Sequence, residues 1–496
     1  MNFNASKIKK NIPEEIKIVS QKLEENGFQS YLVGGCVRDL LMEKKPKDWD
    51  LTTNATPEEI QDIFPDSIYE NQFGTVAIKI ADNNDSTLNI IEITTFRLEG
   101  KYTDKRHPDE IKFAKNIEED LSRRDFTINA IALDTTKKST ENLIDPFGGQ
   151  KDIKNKIIQA VGEPEKRFNE DALRIMRAIR LSVQLDFKIE EKTLKAIKKE
   201  VKALEIIANE RIRDEFIKII MTPRAKKGIE LLKETEILKL IIPELEQGIG
   251  VEQNKHHIYT VFEHNLLSMD YAVKKNYSLK IRLAALLHDI GKPKTKRGKG
   301  ANSTFHGHEI VGAKMATQAL NRLRFSKNMT EKIVHLIRYH LFYYNVGEVT
   351  EAGVRRFLRR VGPENVEDFI KLREADRIGS GVPKAVPYKI RHLLFMIEKV
   401  KHDPISPKML KLNGNDIIKI LNVKPGPKIG YILNALLDEI IENPEKNTLK
   451  FLNLRIKKLG KLSDIELKKL SKQAEEKKEE FEGGLEKEMK EKYYVK

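Results

Sequence analysis

Near residue 150 the pattern of the chain changes from mixed to helical. Before this point, four short apolar runs rich in β-branched residues are typical of strands, at residues 31–33, 76–80, 89–94 and 128–133. After it, apolar residues recur at helical spacing and no convincing strand pattern remains. The sequence therefore predicts an α+β fold, in which a small α/β head is followed by all-helical domains.

The 496 residues exceed what a single hydrophobic core usually organises. Changes in composition predict four domains, at residues 1–150, 151–245, 246–385 and 386–496. The third domain holds eight of the eleven histidines, between His256 and His340. The fourth is lysine-rich and closes in a Lys/Glu tail of nearly balanced charge, which we expect to be a solvated helix or a frayed end.

The net charge of +15 favours a polyanionic partner, because lysine and arginine side chains neutralise phosphates. A lysine-rich composition without functional meaning is the alternative. The single cysteine, Cys36, excludes an internal disulfide framework and is expected to be reduced. No apolar run approaches the roughly 20 residues of a membrane helix, and the first residues lack a signal-peptide core. We therefore expect a cytoplasmic protein without a membrane partner.

Two aspartates, Asp48 and Asp50, stand on either side of Trp49 and just downstream of the Gly34-Gly35 pair. Side chains alternate along a strand, so carboxylates at i and i+2 point to the same face. Such a pair can hold hard divalent cations, as the transfer of phosphoryl or nucleotidyl groups requires. We predict that Asp48 and Asp50 are catalytic and bind metal. Glu92 is the candidate for a third carboxylate, an exposed strand glutamate being the alternative.

Basic residues that could meet phosphates stand near this pair. Gly35 lets the backbone approach a phosphate closely at the start of a helix, and Arg38 could neutralise a triphosphate. The adjacent Arg123 and Arg124 could reach the same triphosphate or brace the loop that carries it. A structural ion pair at a helix start is the alternative for the two arginines.

A third group of residues lies in the helical stretch after residue 168. Its apolar members follow i, i+3, i+4, i+7 spacing and predict the buried stripe of a helix: Ala172, Ile175, Met176 and Ile179. Asp171 and Arg174 are then neighbours on the opposite side. Arg177 and Arg180 continue a cationic stripe that could contact phosphates.

Asp171 and Arg174 have a chemical reason to read a nucleobase. Cytosine and adenine each present an amino donor beside a ring-nitrogen acceptor, so a carboxylate can accept from the first while a guanidinium donates to the second. Guanine and uracil place a carbonyl and an N–H at these positions and would meet mismatched groups. One Asp/Arg pair could admit C and A and exclude G and U. An ordinary surface ion pair is the alternative.

These motifs, in this order, resemble those of the class II tRNA nucleotidyltransferases, the CCA-adding enzymes and their relatives. The resemblance covers roughly residues 28–220, including a further motif at residues 208–215. It implies a polymerase-β-like head, a helical neck that selects the nucleotide, and a helical body and tail that hold tRNA. It also implies that Asp48 and Asp50 bind two Mg²⁺ ions, and that Asp171 and Arg174 read the base. Nucleotide contacts would come from Gly35, Arg38 and either Arg123 or Arg124.

A separate constellation begins with the adjacent His288 and Asp289, which follow an apolar helical run. Imidazole and carboxylate ligands suit a transition metal. The pattern resembles the His-Asp metal-dependent phosphohydrolase superfamily, which implies one metal held by His264, His288, Asp289 and Asp376. A second metal could be served by one of three further histidines: His308, His335 and His340. Whether hydrolysis follows, and of what substrate, stays open.

Together these features predict an enzyme that uses Mg²⁺, CTP and ATP to add C and A residues to the 3′ end of tRNA without a template. Enzymes that add only A or only CC, and poly(A) polymerases, are alternatives. Two others are a His-Asp phosphodiesterase with an RNA-binding head and an RNA-binding scaffold. Basic segments at 292–299 and 355–360 could hold the acceptor arm or be solvated surface. The sequence does not determine the oligomeric state.

Overall fold

The computed structural model describes the chain in segments: residues 8, 11–71, 74–80, 85–99, 111–114, 116–135, 143–254, 258–342, 344–381, 386–401 and 410–495. The chain divides into two compact units. The first unit comprises Met1–Leu341 and Lys371–Pro383, and the second comprises Phe342–Ile370 and Lys384–Lys496. The finer division into four domains stays a prediction.

The strands of the described residues all belong to the first unit. They are β1 (Ser30–Val33), β2 (Asp50–Thr53), β3 (Ile68–Asn71), β4 (Thr75–Lys79), β5 (Ile90–Thr95), β6 (Arg97–Glu99), β7 (Ile111–Phe113), β8 (Ala132–Asp134), β9 (Leu143–Ile144), β10 (Ile157–Ile158) and β11 (Lys188–Ile189). Seven of them form a mixed sheet in the order β3-β4-β5-β2-β1-β8-β9. Only β2 and β5 run parallel within this sheet.

The helices of the first unit surround and follow this sheet. They are α1 (Glu14–Glu25), α2 (Gly35–Leu41), α3 (Pro57–Ile63), α4 (Ile117–Ser122), α5 (Gly149–Asn155), α6 (Pro164–Glu170), α7 (Leu173–Leu185), α8 (Glu191–Glu200), α9 (Asn209–Ile220), α10 (Ala225–Glu234), α11 (Ile237–Ile241), α12 (Pro243–Glu246), α13 (Val261–Lys274), α14 (Leu279–Leu287), α15 (Lys292–Thr295), α16 (His308–Arg322) and α17 (Lys327–Tyr339).

The helices of the second unit are α18 (Glu351–Val361), α20 (Tyr388–Lys401), α21 (Gly414–Leu421), α22 (Pro427–Glu442), α23 (Leu449–Leu459) and α24 (Asp464–Lys492), while α19 (Val366–Gly379) contributes to both units. The Lys/Glu tail is thus helical. A capping box, in which Ser463 and Glu466 satisfy each other's backbone N–H groups, begins α24. Mixed strands and helices followed by helices alone confirm the predicted α+β fold class.

Local sequence explains where several of these elements begin. Capping boxes start α3 at Thr56 and α13 at Thr260. The apolar stripe predicted for α7 is confirmed, because its four residues are fully buried: Ala172, Ile175, Met176 and Ile179. One face of the sheet is covered by a core in which Tyr31 and Phe96 stack with ring centroids 6.1 Å apart.

Two strand expectations differ from the structure. Residues 128–130 do not extend a strand, because Thr127–Asn129 forms a 3₁₀ turn closed by the Ala130 N–H on the Thr127 carbonyl. The mostly helical region after residue 150 contains two short strands, β10 and β11, which pair with each other. In the described part of the chain, no helix combines the length and apolar character that crossing a bilayer requires.

Candidate functional site

Three carboxylates lie near one another at the start of the central strand β2. Asp50 is the first residue of β2, and the parallel pairing of β2 with β5 places Glu92 directly beside it. Asp48 lies in the loop before β2 and not on the strand itself. The alternation of side chains along a strand therefore does not by itself place Asp48 and Asp50 on one face. Trp49 points away into the core, with 2% of its surface exposed.

The electrostatics of Asp50 show that burial and the neighbouring carboxylates outweigh the nearby Arg124. Burial and the negative charges of Asp48 and Glu92 together raise the pKa of Asp50 to about 7, against the opposing effect of Arg124. Carboxylates crowded in this way favour a bound cation over three free anions. Carboxylate oxygens are the donors that a hard divalent metal prefers.

The Gly34-Gly35 turn lies close against these carboxylates. Gly34 has a φ of +75°, which favours glycine. A Cβ atom at Gly34 would lie 3.2 Å from Nη1 of Arg124 and 3.5 Å from Oδ2 of Asp50. At Gly35 it would lie 3.9 Å from Oδ1 of Asp48. The turn therefore brings backbone close to the carboxylates without side chains in between.

The carboxylates open into a cavity of about 1050 Å³. Its walls contain seven of the residues selected from the sequence: Gly35, Arg38, Asp48, Asp50, Glu92, Arg177 and Arg180. The far wall comes from the end of α9 and the residues after it: Lys218, Met221, Thr222 and Pro223.

A chain of hydrogen bonds crosses one wall of the cavity. Nη1 of Arg38 donates to Oδ1 of Asn129 at 2.8 Å, and Nδ2 of Asn129 donates to Oδ1 of Asp125 at 3.1 Å. Oδ2 of Asp125 accepts from Nε of Arg177 at 2.8 Å. Although burial alone would raise it, the pKa of Asp125 is held below its usual range by Arg177 and Asn129. The anionic Asp125 thus orients Arg177 of α7 directly and Arg38 of α2 through Asn129.

Arg123 and Arg124 take different positions. Both contact the buried Asp120, at 2.7 Å and 3.1 Å, and these contacts outweigh burial and lower the pKa of that carboxyl. Arg124 also reaches the space above Gly34. The main-chain carbonyl of Arg123 accepts a hydrogen bond from Nη2 of Arg174 at 3.0 Å. Of the two arginines, Arg124 therefore lies nearer to the carboxylates.

Asp171 is placed differently from the expectation. It has an extended backbone and ends α6, so it precedes α7 and does not share a helical face with Arg174. Its Oδ1 accepts the Leu173 N–H at 3.0 Å, and its Oδ2 lies 3.4 Å from Nη2 of Arg211. Arg174 is buried and donates to Glu170. Neither Asp171 nor Arg174 is among the described residues that line the cavity, so their reading of a base stays a prediction.

Two residues that sequence reasoning did not select support the cationic wall. Glu215 of α9 is buried and lies 2.7 Å from Nε of Arg180 and 3.1 Å from Nζ of Lys218. Asn129 joins Arg38 to Asp125. Glu215 lies in the motif at residues 208–215, and Asn129 lies in the segment that begins with Arg123 and Arg124. Both segments were therefore selected from the sequence, but these two residues were not.

A second cluster lies where α13, α14 and α19 meet. The Nε2 atoms of His264 and His288 are 2.9 Å apart. Oδ1 of Asp376 lies 3.4 Å from the first and 3.7 Å from the second. Oδ2 of Asp289 lies 3.2 Å from Nε2 of His264. The structure thus brings together all four residues predicted to bind a metal in this region.

Two of the three further histidines join this cluster. Nε2 of His308 lies 3.1 Å from Oδ1 of Asp289, and Nε2 of His340 lies 3.6 Å from it. His335 is one turn before Tyr339 on α17 and packs against that ring, with centroids 5.0 Å apart. His308 and His340 therefore have the positions that a second metal would need.

The imidazole rings are oriented as metal ligands. Three of them donate through Nδ1 to the carbonyl three residues earlier: His288 to Ala285, His308 to Phe305 and His340 to Ile337. A carbonyl can only accept, so each Nδ1 bears the proton and each Nε2 of a neutral ring turns its lone pair toward the carboxylates. Such an arrangement of lone pairs and anions fits a divalent cation.

The pKa of His288 also indicates that this cluster favours a bound cation. Burial by itself lowers the pKa of His288, but Asp289 and Asp376 raise it to about 10. The pocket therefore attracts positive charge strongly.

Lys292 supplies further positive charge, with Nζ 2.5 Å from Oδ2 of Asp289 and 2.7 Å from Oε1 of Gln253. It is buried, so this member of the 292–299 segment is neither solvated surface nor an RNA contact. No sequence signal pointed to Gln253.

Family comparisons divide the chain into three matched segments. Residues 30–159 match the model of the Poly A polymerase head domain. Residues 186–249 match the model described as the probable RNA and SrmB-binding site of polymerase A. Residues 261–378 match the HD domain.

Similar proteins share one name. The CCA-adding enzyme of Ligilactobacillus salivarius is 34% identical over 91% of this chain and 98% of its own length. That of Lactobacillus helveticus is 46% identical over 44% of this chain and 53% of its own length.

Solved structures agree with this similarity. The CCA-adding enzyme of Bacillus stearothermophilus in complex with CTP matches with a TM-score of 0.54 and 25% identity, over 90% of this chain and 98% of its own. The Thermotoga maritima CCA-adding enzyme complexed with tRNA matches with a TM-score of 0.53 and 21% identity, over 92% of this chain and 98% of its own, which shows a shared fold.

Proposed function

The chain belongs to the family of CCA-adding enzymes, and we propose that its head adds C and A nucleotides from CTP and ATP to the 3′ end of tRNA without a template. The observation that carries this proposal is the cavity in which Asp48, Asp50 and Glu92 face Arg38 across the Gly34-Gly35 turn. The transfer of a nucleotide from a triphosphate needs carboxylates that can bind metal beside basic residues that can bind the phosphates. The relatives' shared name favours CCA addition over poly(A) synthesis.

Asp48 and Asp50 would hold the catalytic cations, for which we propose Mg²⁺, with Glu92 as the third carboxylate of the site. Such ions would supply a lowered pKa at the tRNA 3′-hydroxyl and positive charge beside the reacting phosphate and the departing pyrophosphate. The open turn at Gly35 admits the triphosphate close to the backbone.

The arginines bind and orient the triphosphate. Arg38 is fixed by Asp39 and Asn129, with its Nε and Nη2 on Asp39 and its Nη1 on Asn129, and its remaining N–H groups can meet phosphate oxygens. Arg124 approaches from above Gly34. Arg177 and Arg180 are held by Asp125 and Glu215, so these cations face the cavity at fixed positions. Pre-positioned charges of this kind need no rearrangement when the nucleotide arrives.

Asp171 and Arg174 are proposed to read the base of the incoming nucleotide. Arg211 and the Leu173 N–H contact the carboxylate of Asp171. Arg174 is anchored by Glu170 and by the Arg123 carbonyl. The contact between Arg211 and Asp171 is 3.4 Å long, and exchanging it for the amino group of cytosine or adenine costs little. This exchange would complete a protein template that accepts only C and A.

Replacing Asp171 with alanine should weaken selection of the base. We expect kcat/KM for CTP and ATP to fall by about 100-fold while the values for UTP and GTP change little, because the rejection of a mismatched base depends on buried polar groups that would be left unpaired. Single-nucleotide incorporation with each of the four triphosphates measures this. Asp186→Ala is the control, since that aspartate pairs with Arg224 and Lys227 away from the cavity. Unchanged discrimination in Asp171→Ala would refute the role of Asp171.

The decisive test of the proposed function is extension of three labelled tRNAs, ending before CCA, after C and after CC. With Mg²⁺, CTP and ATP, we expect all three to be completed, and UTP and GTP to be rejected. Extension of only the CC-ending tRNA with ATP would make the protein an A-adding enzyme. Addition of long A tracts would make it a poly(A) polymerase, and no extension would refute activity of the head.

The second unit offers a surface for the tRNA body. Four arginines of α18 are exposed: Arg355, Arg356, Arg359 and Arg360. Only Arg355 has a carboxylate near it within the helix, Glu351 at 3.2 Å. Because phosphate contacts supply most sequence-independent affinity for nucleic acid, we propose that this helix binds the tRNA backbone.

A metal-dependent phosphohydrolase is a second candidate function. The observation that favours it is the convergence of three oriented imidazole rings and two buried carboxylates around one point. His264, His288, Asp289 and Asp376 would hold one divalent transition metal, and His308 and His340, with Asp289, would hold a second. A bound metal there would activate water for attack on a phosphate ester.

A further inference from the structure

Arg282 is a buried arginine whose partners are all oxygen atoms of uncharged groups. Only 2% of its surface is exposed. Its Nε donates to the Tyr277 carbonyl at 2.8 Å, and its Nη2 donates to Oδ1 of Asn276 at 3.2 Å. Its Nη1 donates to the carbonyls of Ile220 at 3.0 Å and Thr222 at 3.5 Å. No carboxylate in the described part of the chain forms an ion pair with it.

A buried cation without a counter-ion is costly, so the site must stabilise it in another way. Ile220 is the last residue of α9, and Thr222 follows two residues later. The carbonyls at a helix C-terminus are unsatisfied within the helix and carry its partial negative charge. Arg282 therefore acts as a charged cap on α9, and burial lowers its pKa without a carboxylate to oppose this effect.

The capped segment is the far wall of the nucleotide cavity. Lys218, near the end of α9, lines this cavity together with Met221, Thr222 and Pro223, which follow the helix. The carbonyl of Thr222 is one of the acceptors of Arg282, so the guanidinium contacts the wall from behind. Its own helix, α14, ends immediately before the metal-site residue His288. Arg282 thus ties the histidine-rich part of the first unit to the cavity of the head reaction.

We propose that Arg282 is a positioning residue for the nucleotide: it holds residues 218–223 in the arrangement that forms the far wall of the cavity. This inference rests on the proposed function of that cavity. Arg282 touches neither substrate nor metal, and acts only through the end of α9. Loss of the guanidinium leaves carbonyls unsatisfied and allows the wall to move, so nucleotide binding weakens more than the chemical step.

The test compares Arg282→Met and Arg282→Lys with the wild-type protein. We expect Arg282→Met to raise KM for CTP and ATP about tenfold, with kcat changed less than about threefold and tRNA affinity unchanged. Lysine keeps the charge but has fewer donors in a different geometry, so Arg282→Lys should rescue part of the KM effect. Arg224→Met is the matched control, because Arg224 stands two residues after Thr222 but contacts Asp186 and the Val183 carbonyl instead.

Direct CTP binding by calorimetry separates this inference from the proposed function. If the wild type binds CTP but extends no tRNA, the proposed function fails, and weaker CTP binding by Arg282→Met would still support the positioning role. If Arg282→Met binds CTP and turns over like the wild type, the positioning role is overturned. Should Arg282→Met fail to fold, Arg282→Lys decides: a raised KM with an unchanged kcat supports the role, and a wild-type KM overturns it.

Discussion

Asp48→Asn and Asp50→Asn should each reduce nucleotide addition by at least about 10³-fold while binding of tRNA is retained. Asparagine keeps the shape of the side chain but removes a negative charge from the cluster with Glu92. Metal ions contribute several kcal/mol to such reactions, and each step of about 1.4 kcal/mol is a factor of ten in rate. Single-turnover extension of a CC-ending tRNA with ATP measures the loss, and filter binding measures tRNA affinity.

The matched control is Asp66→Asn, an exposed aspartate just after α3 in the same head. It should leave the rate of addition unchanged. Glu92→Gln is expected to reduce the rate as well, if Glu92 is the third carboxylate. An Asp50→Asn variant that extends tRNA at the wild-type rate would show that the chemistry takes place elsewhere.

Asp289→Asn should damage the second cluster in two ways that can be measured separately. Asp289 lies within 3.7 Å of four histidines and of Lys292. Loss of its charge leaves Lys292 buried beside neutral groups, and breaking a buried pair in this way costs about 3–5 kcal/mol. Urea unfolding measures the stability. Elemental analysis of the purified protein should show at the same time that the divalent transition metal proposed for this cluster is lost.

A double variant separates the two effects. Asp289→Asn combined with Lys292→Met removes both charges, so stability should recover in large part while metal binding does not. Asp270→Asn, which breaks a pair with Lys274 within α13, is the control and should retain the metal. Nucleotide addition by the head should continue in all three variants. Full metal content in Asp289→Asn would contradict the assignment of this residue as a ligand.

Much of the candidate site could be predicted because its chemistry is local. Gly35 and Arg38 lie three residues apart, and Asp48 and Asp50 two, so their mutual placement depends on a single turn or strand. His288 and Asp289 are adjacent, and the resemblance of their region to the His-Asp superfamily predicts a metal centre there. The buried stripe of α7 followed from helical spacing alone, and all four predicted residues are buried.

Two structural predictions differ from the structure because of polar side chains close to them in the sequence or in space. Asp171 was placed on the helix of Arg174, but its side chain accepts the Leu173 N–H and its backbone is extended there, which breaks the helix. The run at residues 128–133 has strand-like composition, yet Asn129 is drawn into a turn by Arg38 and Asp125. In the second case, polar side chains with specific partners overrode an apolar pattern.

The sequence by itself determined the α+β class, the carboxylate pair and the members of the histidine cluster, because each follows from residue types at short spacing. Only the tertiary structure decided the partners: Arg38 with Asn129, Arg177 with Asp125, and Arg282 with the end of α9. These contacts join residues 91, 52 and 62 positions apart. Backbone stereochemistry fixes the direction of a side chain within one element, whereas contact between elements depends on how the whole chain packs.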